Sequence, residues 1–200
     1  MPTATILLAA GESTRMGRPK PLLDWGGATL IDYQVRELLA AGVDDVVVVL
    51  GHAAAEVRPH VPPEARVVIN QAYREGRASS LRAGAAALAD GVDTVVVLSV
   101  DQPRPAAVHR ALLAAHREGH ALITIPTYQG RRGHPIALAG SLLPELREAT
   151  EEALGLRGVI EAHAADAREV DFGTAAVLLD INTPEDYERA RAKFAGEPPS

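Results

Sequence analysis

The chain has 200 residues, is 47% hydrophobic and 23% charged, and carries a formal net charge of −6 at pH 7. That balance fits a globular chain able to bury a sizeable core and excludes an intrinsically disordered one. No Lys/Arg run is long enough to track a nucleic-acid backbone, and the absence of cysteine excludes disulfides, thiolate metal sites and cysteine nucleophiles.

The opening MPTATILLAAG lacks a basic n-region and meets glycine too early for a signal peptide or a membrane span, so a cytoplasmic protein is expected. TATILLA (3–9) predicts a first strand. A loop, GESTRMGRPK, follows it directly, and then TLIDYQVRELLAAG (29–42) predicts an amphipathic helix closed by glycine. DVVVVLG (45–51) and RVVIN (66–70) predict two more strands. NQAYREGRASSLRAG (70–84) is polar where a strand gives way to a helix, SSLRAGAAALADG (79–91), with Ser79 or Ser80 as a candidate cap.

TVVVLSV (94–100) predicts a strand that runs into Asp101. PAAVHRALLAAHREG (105–119) then opens on proline and closes on glycine as a helix. Strands follow at ALITIPT (121–127) and PIALA (135–139), separated by a Gly-rich turn. After two short helices, AAVLLDI (175–181) predicts a final strand that runs into Asp180. The last helix, TPEDYERARAKFA (183–195), has Thr183 as N-cap and Pro184 in its first turn.

Apolar runs without strict alternation, separated by amphipathic helices, predict a Rossmann-like, doubly wound α/β fold. Its mostly parallel sheet carries helices on both faces, with a small insertion after residue 128. One domain is expected over residues 1–195, with a frayed tail at 196–200.

In an open parallel sheet, ligands bind at the carboxyl ends of the strands, where the loop after 3–9 lies. Gly11 and Gly17 let backbone amides approach an anion, Ser13 and Thr14 add hydroxyls, and Arg15 and Lys20 add charge. The chain has only two lysines, so Lys20 is conspicuous here. An ordinary βα turn and a triphosphate cradle both fit this composition. The dinucleotide spacing G-x-G-x-x-G and the P-loop spacing G-x-x-x-x-G-K-[ST] are both absent.

LAAGESTRMGRPKPLL resembles the signature of the MobA-like nucleotidyltransferases, L-A-[AG]-G-x-S-x-R-M-G-x-x-K-x-L-L, and is most similar to the molybdenum cofactor cytidylyltransferase branch. Every fixed position is filled, by Leu8, Ala9, Ala10, Gly11, Ser13, Arg15, Met16, Gly17, Lys20, Leu22 and Leu23. The resemblance runs from about residue 4 to 195. It implies a nucleotide-diphospho-sugar transferase-like fold and an NTP whose triphosphate is wrapped by this loop, from Leu8 to Lys20. Arg15 and Lys20 would neutralise charge during attack at the α-phosphorus, and Mg²⁺ would be held by Asp101 and Asp180, from DQP and DINTPEDY. Taken singly, Asp101 also reads as a helix cap and Asp180 as a turn residue.

The resemblance further implies that Asn70 and the Gly76–Ser80 turn, with Ser79 helping, face the nucleobase; Arg77 stands where the family often has Met. It places Arg131, Arg132 and His134, in TYQGRRGHP, on the acceptor side. An Arg-rich surface turn with a structural histidine is the plainer reading of that stretch. Ala10 leans the donor towards CTP, and the resemblance implies molybdopterin as the favoured acceptor, with a molybdoenzyme as downstream partner. The region 151–163 reads EEALGLRGVIEAH where those enzymes often have G-D-x-G-A-R. GTP as donor, another phosphorylated acceptor such as a sugar or alcohol phosphate, and a non-catalytic nucleotide binder therefore stay open.

Overall fold

The computed structural model describes residues 1–194, so the tail expected at 196–200 lies outside the described residues. In chain order, strands β1 (Thr3–Ala9), β2 (Asp24–Trp25) and β3 (Ala28–Thr29) precede helix α1 (Leu30–Ala40). β4 (Asp45–Leu50), α2 (Ala54–Val57), β5 (Arg66–Ile69), α3 (Arg77–Ala87), β6 (Thr94–Ser99) and α4 (Ala106–Gly119) follow. The last third contains β7 (Ile123–Tyr128), β8 (Arg131–Arg132), β9 (Ile136–Ala139), α5 (Leu143–Arg147), α6 (Leu156–Ala162), β10 (Ala167–Asp171) and α7 (Pro184–Phe194).

The main sheet has the order β10-β7-β9-β6-β1-β4-β5, with β8 paired to β7; β2 and β3 form a separate small ribbon. β1, β4, β5, β6, β7 and β10 are parallel, and β9 runs against both its neighbours, β6 and β7. Successive residues of a strand face opposite sides. Leu7, Val48 and Leu98 therefore pack on one face with Leu30, Leu38, Leu112 and Tyr187 of α1, α4 and α7. Ile6, Val47 and Val97 pack on the other face with Leu81, Leu146 and Val159 of α3, α5 and α6. Each such fully buried aliphatic side chain contributes about 1.5–3 kcal/mol relative to exposure. The doubly wound expectation is met.

Helix ends follow their local chemistry. Thr29 caps α1 by accepting the Asp32 N–H, and Thr183 caps α7 by accepting the Asp186 N–H at 3.2 Å. α3 is built from small residues and lies close on the sheet; a side chain at Gly84 would collide with Ile6 and Val49. It begins two residues before Ser79, so neither serine is its N-cap. Ser79 Oγ instead donates back to the Gly76 and Ala72 carbonyls, at 2.8 and 3.0 Å.

One expected strand is not a strand. Residues Ala175–Leu178 form a 3₁₀ turn, and the sixth parallel strand is β10, AREVD, at a sheet edge. The apolar character of AAVLLDI reports burial, with Ala176 and Val177 packed beneath the ligand edge. Its carbonyls are met outside any ladder: the Arg104 guanidinium donates to Val177 O at 2.8 Å and to Leu179 O at 2.9 Å, and the His134 N–H also donates to Val177 O at 2.9 Å. The insertion after residue 128 is real, and consists of the β8 turn and the antiparallel strand β9.

Candidate active site

The chain leaves β1 through the buried Ala9 and Ala10 and turns at Ser13, whose φ of 53° is left-handed. A non-glycine residue rarely adopts that conformation without compensation. Here Ser13 Oγ accepts the Lys20 backbone N–H at 3.0 Å, and buried Met16 anchors the turn in the core. Pro19 and Pro21 flank Lys20 in a tight 3₁₀ turn, so the side chain leaves the loop in one direction.

That direction is the end of β6. Lys20 Nζ donates to Asp101 Oδ2 at 2.7 Å and to Asn182 Oδ1 at 3.2 Å, and Arg15 Nη2 reaches the same Asn182 oxygen at 3.3 Å. The Lys20 and Asp101 side chains are only 12% and 14% exposed, so this pair is poorly screened. The segment after residue 178 is tied to the same place, because the Ile181 N–H donates to the Asp101 carbonyl at 2.8 Å. Asp101 Oδ1 is buried and has no hydrogen-bond partner among the described residues.

A cavity of about 280 Å³ opens above this cluster. Ten of the residues expected at a nucleotide line it: Leu8, Ala9, Ala10, Gly11, Ser13, Arg15, Lys20, Gly76, Ser80 and Asp101. Asn70 and Ser79 stand behind its wall. Asn70 Nδ2 donates to Ser79 Oγ at 2.9 Å and Ser80 Oγ at 3.0 Å, while Oδ1 accepts the Ala72 N–H at 3.0 Å. Its amide is thus spent on holding the Gly76–Ser80 turn. Gly76 has a φ of 111°, a backbone that L side chains rarely adopt.

A second cavity, of about 670 Å³, adjoins the first and is lined by Asp101, Asp180, Asn182, Arg132 and His134 among others. Arg131 does not line it. Arg132 Nε donates to Glu169 Oε1 at 2.7 Å, and Asp180 Oδ1 accepts from Gln102 Nε2 at 2.8 Å. Burial lowers the His134 pKa below the usual imidazole range; Asp180 opposes this, and the charges of Arg104 and Arg77 add to it. His134 is therefore a neutral imidazole at pH 7.

Among the described residues, no group of three or more His, Cys, Asp or Glu is placed to hold a metal ion. Two carboxylates on one cavity do fit an ion that takes one or two protein carboxylates and fills its shell with phosphate oxygens and water. The buried, unpartnered Asp101 Oδ1 is the observation that favours such an ion, because an orphaned carboxylate oxygen in a poorly hydrated site is costly.

Three side chains escaped the sequence reading. Asn182 accepts from both loop cations, but an amide carries no charge signal. Arg104, between two prolines, is fully buried and donates to the carbonyls of Pro103, His134, Val177 and Leu179; desolvation lowers its pKa to about 10, so it stays charged. Glu151 reaches across to accept the Ala78 N–H at the start of α3.

The MobA-like NTP transferase domain family matches residues 5–167 of this chain. Nicotine blue oxidoreductase of Paenarthrobacter nicotinovorans is 33% identical over 196 residues, covering 92% of this chain and 94% of that protein. The molybdenum cofactor cytidylyltransferase of Escherichia coli (strain K12) is 24% identical over 192 residues, covering 94% and 95%. Among solved structures, Rv0371c from Mycobacterium tuberculosis H37Rv superposes with a TM-score of 0.84 at 27% identity, covering 96% of this chain and 99% of that one. With the loop, the paired charges and the sheet edge in place, the conclusion is that this chain belongs to the MobA-like NTP transferase family and is a nucleotidyltransferase.

Proposed function

We propose that this protein is a Mg²⁺-dependent cytidylyltransferase that joins the nucleoside monophosphate of CTP to the phosphate of molybdopterin. The observation that carries the reading is the convergence of Lys20 and Arg15 on Asn182 beside Asp101, whose second oxygen is buried without a hydrogen-bond partner among the described residues. The triphosphate lies along the Leu8–Lys20 loop, where Arg15 and Lys20 match its charge and follow it as negative charge moves towards the leaving group. Asp101 and Asp180 would hold Mg²⁺, which when bound would neutralise phosphate charge and orient the leaving oxygens.

A phosphate oxygen of the acceptor attacks the α-phosphorus in line. The bond to the β-phosphate bridging oxygen breaks, and its electron pair leaves with pyrophosphate. No protein base is required, because the nucleophile is already an anion; the work is positioning and charge neutralisation. Gly76 and Ser80 face the base, with Asn70 and Ser79 bracing that turn. Arg132 and His134 face the acceptor. The same reading takes residues 1–195 as one domain acting in the cytoplasm, and among the described residues no helix is long and apolar enough to cross a membrane.

The wall of the larger cavity favours one alternative, the same chemistry on a different phosphorylated acceptor. Arg132 and Arg157 are ion-paired with Glu169 and Glu161, and 151–163 departs from G-D-x-G-A-R. The oxidoreductase name of the 33%-identical relative brings no hydride-transfer reading with it, since this chain lacks the dinucleotide spacing. The deciding experiment measures pyrophosphate release from each of the four NTPs with Mg²⁺, with and without molybdopterin. Release that requires CTP and molybdopterin together is expected. CTP binding without release rejects the acceptor, and failure to bind any NTP rejects the reading.

A further inference from the structure

The two cavities share a short stretch of wall, and the charged residues on it are Asp101 and Arg77. Asp101 faces Lys20 and is the expected metal ligand. Arg77 has no such role in the reading above, yet it stands where donor and acceptor must meet. It is the first residue of α3, so its backbone is fixed by the Gly76–Ser80 turn and its side chain reaches from a rigid element. Its guanidinium makes one long hydrogen bond, Nη2 to Ser99 Oγ at 3.3 Å, and has no carboxylate partner among the described residues. The other guanidiniums of the larger cavity are already matched, Arg132 by Glu169 and Arg157 by Glu161.

Two anions approaching for phosphoryl chemistry repel each other. The repulsion is stronger in a partly buried cleft than in bulk water. A guanidinium with one donor on a neutral hydroxyl can exchange that partner for phosphate oxygens, and its planar fork suits two of them at once. An uncharged hydroxyl acceptor would gain little from it.

We propose that Arg77 is the specificity-determining residue of the acceptor side, gripping the phosphate that attacks and so selecting phosphomonoesters over free alcohols. This rests on the nucleotidyl-transfer reading. Arg77 keeps its proton throughout: the acceptor oxygen bonds to the α-phosphorus, the bond to pyrophosphate breaks, and the guanidinium stays bonded to the remaining acceptor oxygens.

The test compares wild type with Arg77→Met, which keeps bulk and removes charge, and Arg77→Lys, which keeps charge and removes the fork. CTP binding with Mg²⁺ is measured by calorimetry without acceptor, and pyrophosphate release is measured against molybdopterin concentration. The expected result is a CTP Kd within about twofold of wild type in both variants. The molybdopterin KM rises about tenfold or more in Arg77→Met, with Arg77→Lys between. Inorganic phosphate, titrated into the ligand-free protein, is expected to bind wild type and to bind Arg77→Met at least about tenfold more weakly. An unchanged KM in a folded Arg77→Met overturns the proposal, and so does loss of CTP affinity in either variant, which would assign Arg77 to the donor. If wild type turns over no NTP, the nucleotidyl-transfer reading falls by itself. The phosphate titration still reads Arg77, and equal binding to both proteins overturns its role.

Discussion

On the proposed reading, the donor side and the acceptor side of this cleft are built on different plans. The donor side is a continuous loop, residues 8–23, whose conformation is over-determined by a left-handed Ser13, a buried Met16 and the Ser13–Lys20 hydrogen bond. The acceptor side is assembled from pieces far apart in the chain: Arg77 on α3, Arg132 and His134 around β8, Asp180 near the end, and Leu156 and Arg157 on α6. The first arrangement holds charges in place before substrate arrives. The second pairs Arg132 and Arg157 with neighbouring carboxylates and leaves Arg77 on a single long hydrogen bond to Ser99, so its chemistry is adjustable.

If that contrast is right, damage on the donor side should fall on turnover. Lys20→Ala and Asp101→Asn are expected to lower kcat/KM for pyrophosphate release by about 10²–10³-fold, with thermal unfolding close to wild type. Chelation of the divalent cation should abolish release. Activity within tenfold of wild type, or an unfolded variant, would remove these residues from the machinery.

The brace between the two sides should be read in stability. Arg104→Met takes the donor from the carbonyls of Pro103, His134 and Leu179, while Val177 O keeps the His134 N–H, and a loss on the order of 3 kcal/mol is expected by denaturant unfolding. A midpoint unchanged from wild type would show that water replaces the guanidinium. On the adjustable side, Arg132→Ala should raise the acceptor KM only about threefold and spare kcat, because Glu169 already engages that guanidinium at an exposed edge. A loss as large as that of Lys20→Ala would erase the distinction between the two sides.

The smallest effect at neutral pH concerns His109, wholly buried on α4 with its pKa lowered to about 3 by desolvation and by Arg104. Its folded pKa lies below its unfolded value near 6.5, so it is neutral in both states at pH 7 and has no effect there. As pH falls below about 6.5, the unfolded chain gains a proton that the native one refuses. Stability then drops by up to about 1.4 kcal/mol per pH unit towards pH 3. His109→Leu should flatten that part of the stability profile relative to wild type. Parallel profiles for the two proteins would mean that the ring is not desolvated.

The same division decides what could be read from the sequence. The loop after β1 stood out because its chemistry is contiguous, and Asp101 because it ends a long apolar run. The run AAVLLDI misled, since burial beneath a loop and burial in a sheet leave the same apolar trace; only the Arg104 side chain, arriving from residue 104, distinguishes them. β10 was hidden for the opposite reason. As an edge strand it shows exposed Arg168 and Glu169, and polar residues at an edge read as loop. Asn70 was expected to face the nucleobase, but its partners Ser79 and Ser80 lie nine and ten residues on, and spacing alone does not say that its amide is saturated.

The reversed strand β9 has a bearing on how such a cleft could diversify. On the donor half, each return to the ligand edge costs a full helical crossover, so any change of loop there pulls on a packed helix. Between β7 and β9 the chain turns back within residues 129–135 and both of its ends stay at the rim. The tip at Gln129 and Gly130 is exposed. Lengthening or recolouring that tip re-threads nothing, whereas a change between the parallel strands has to carry a crossover with it.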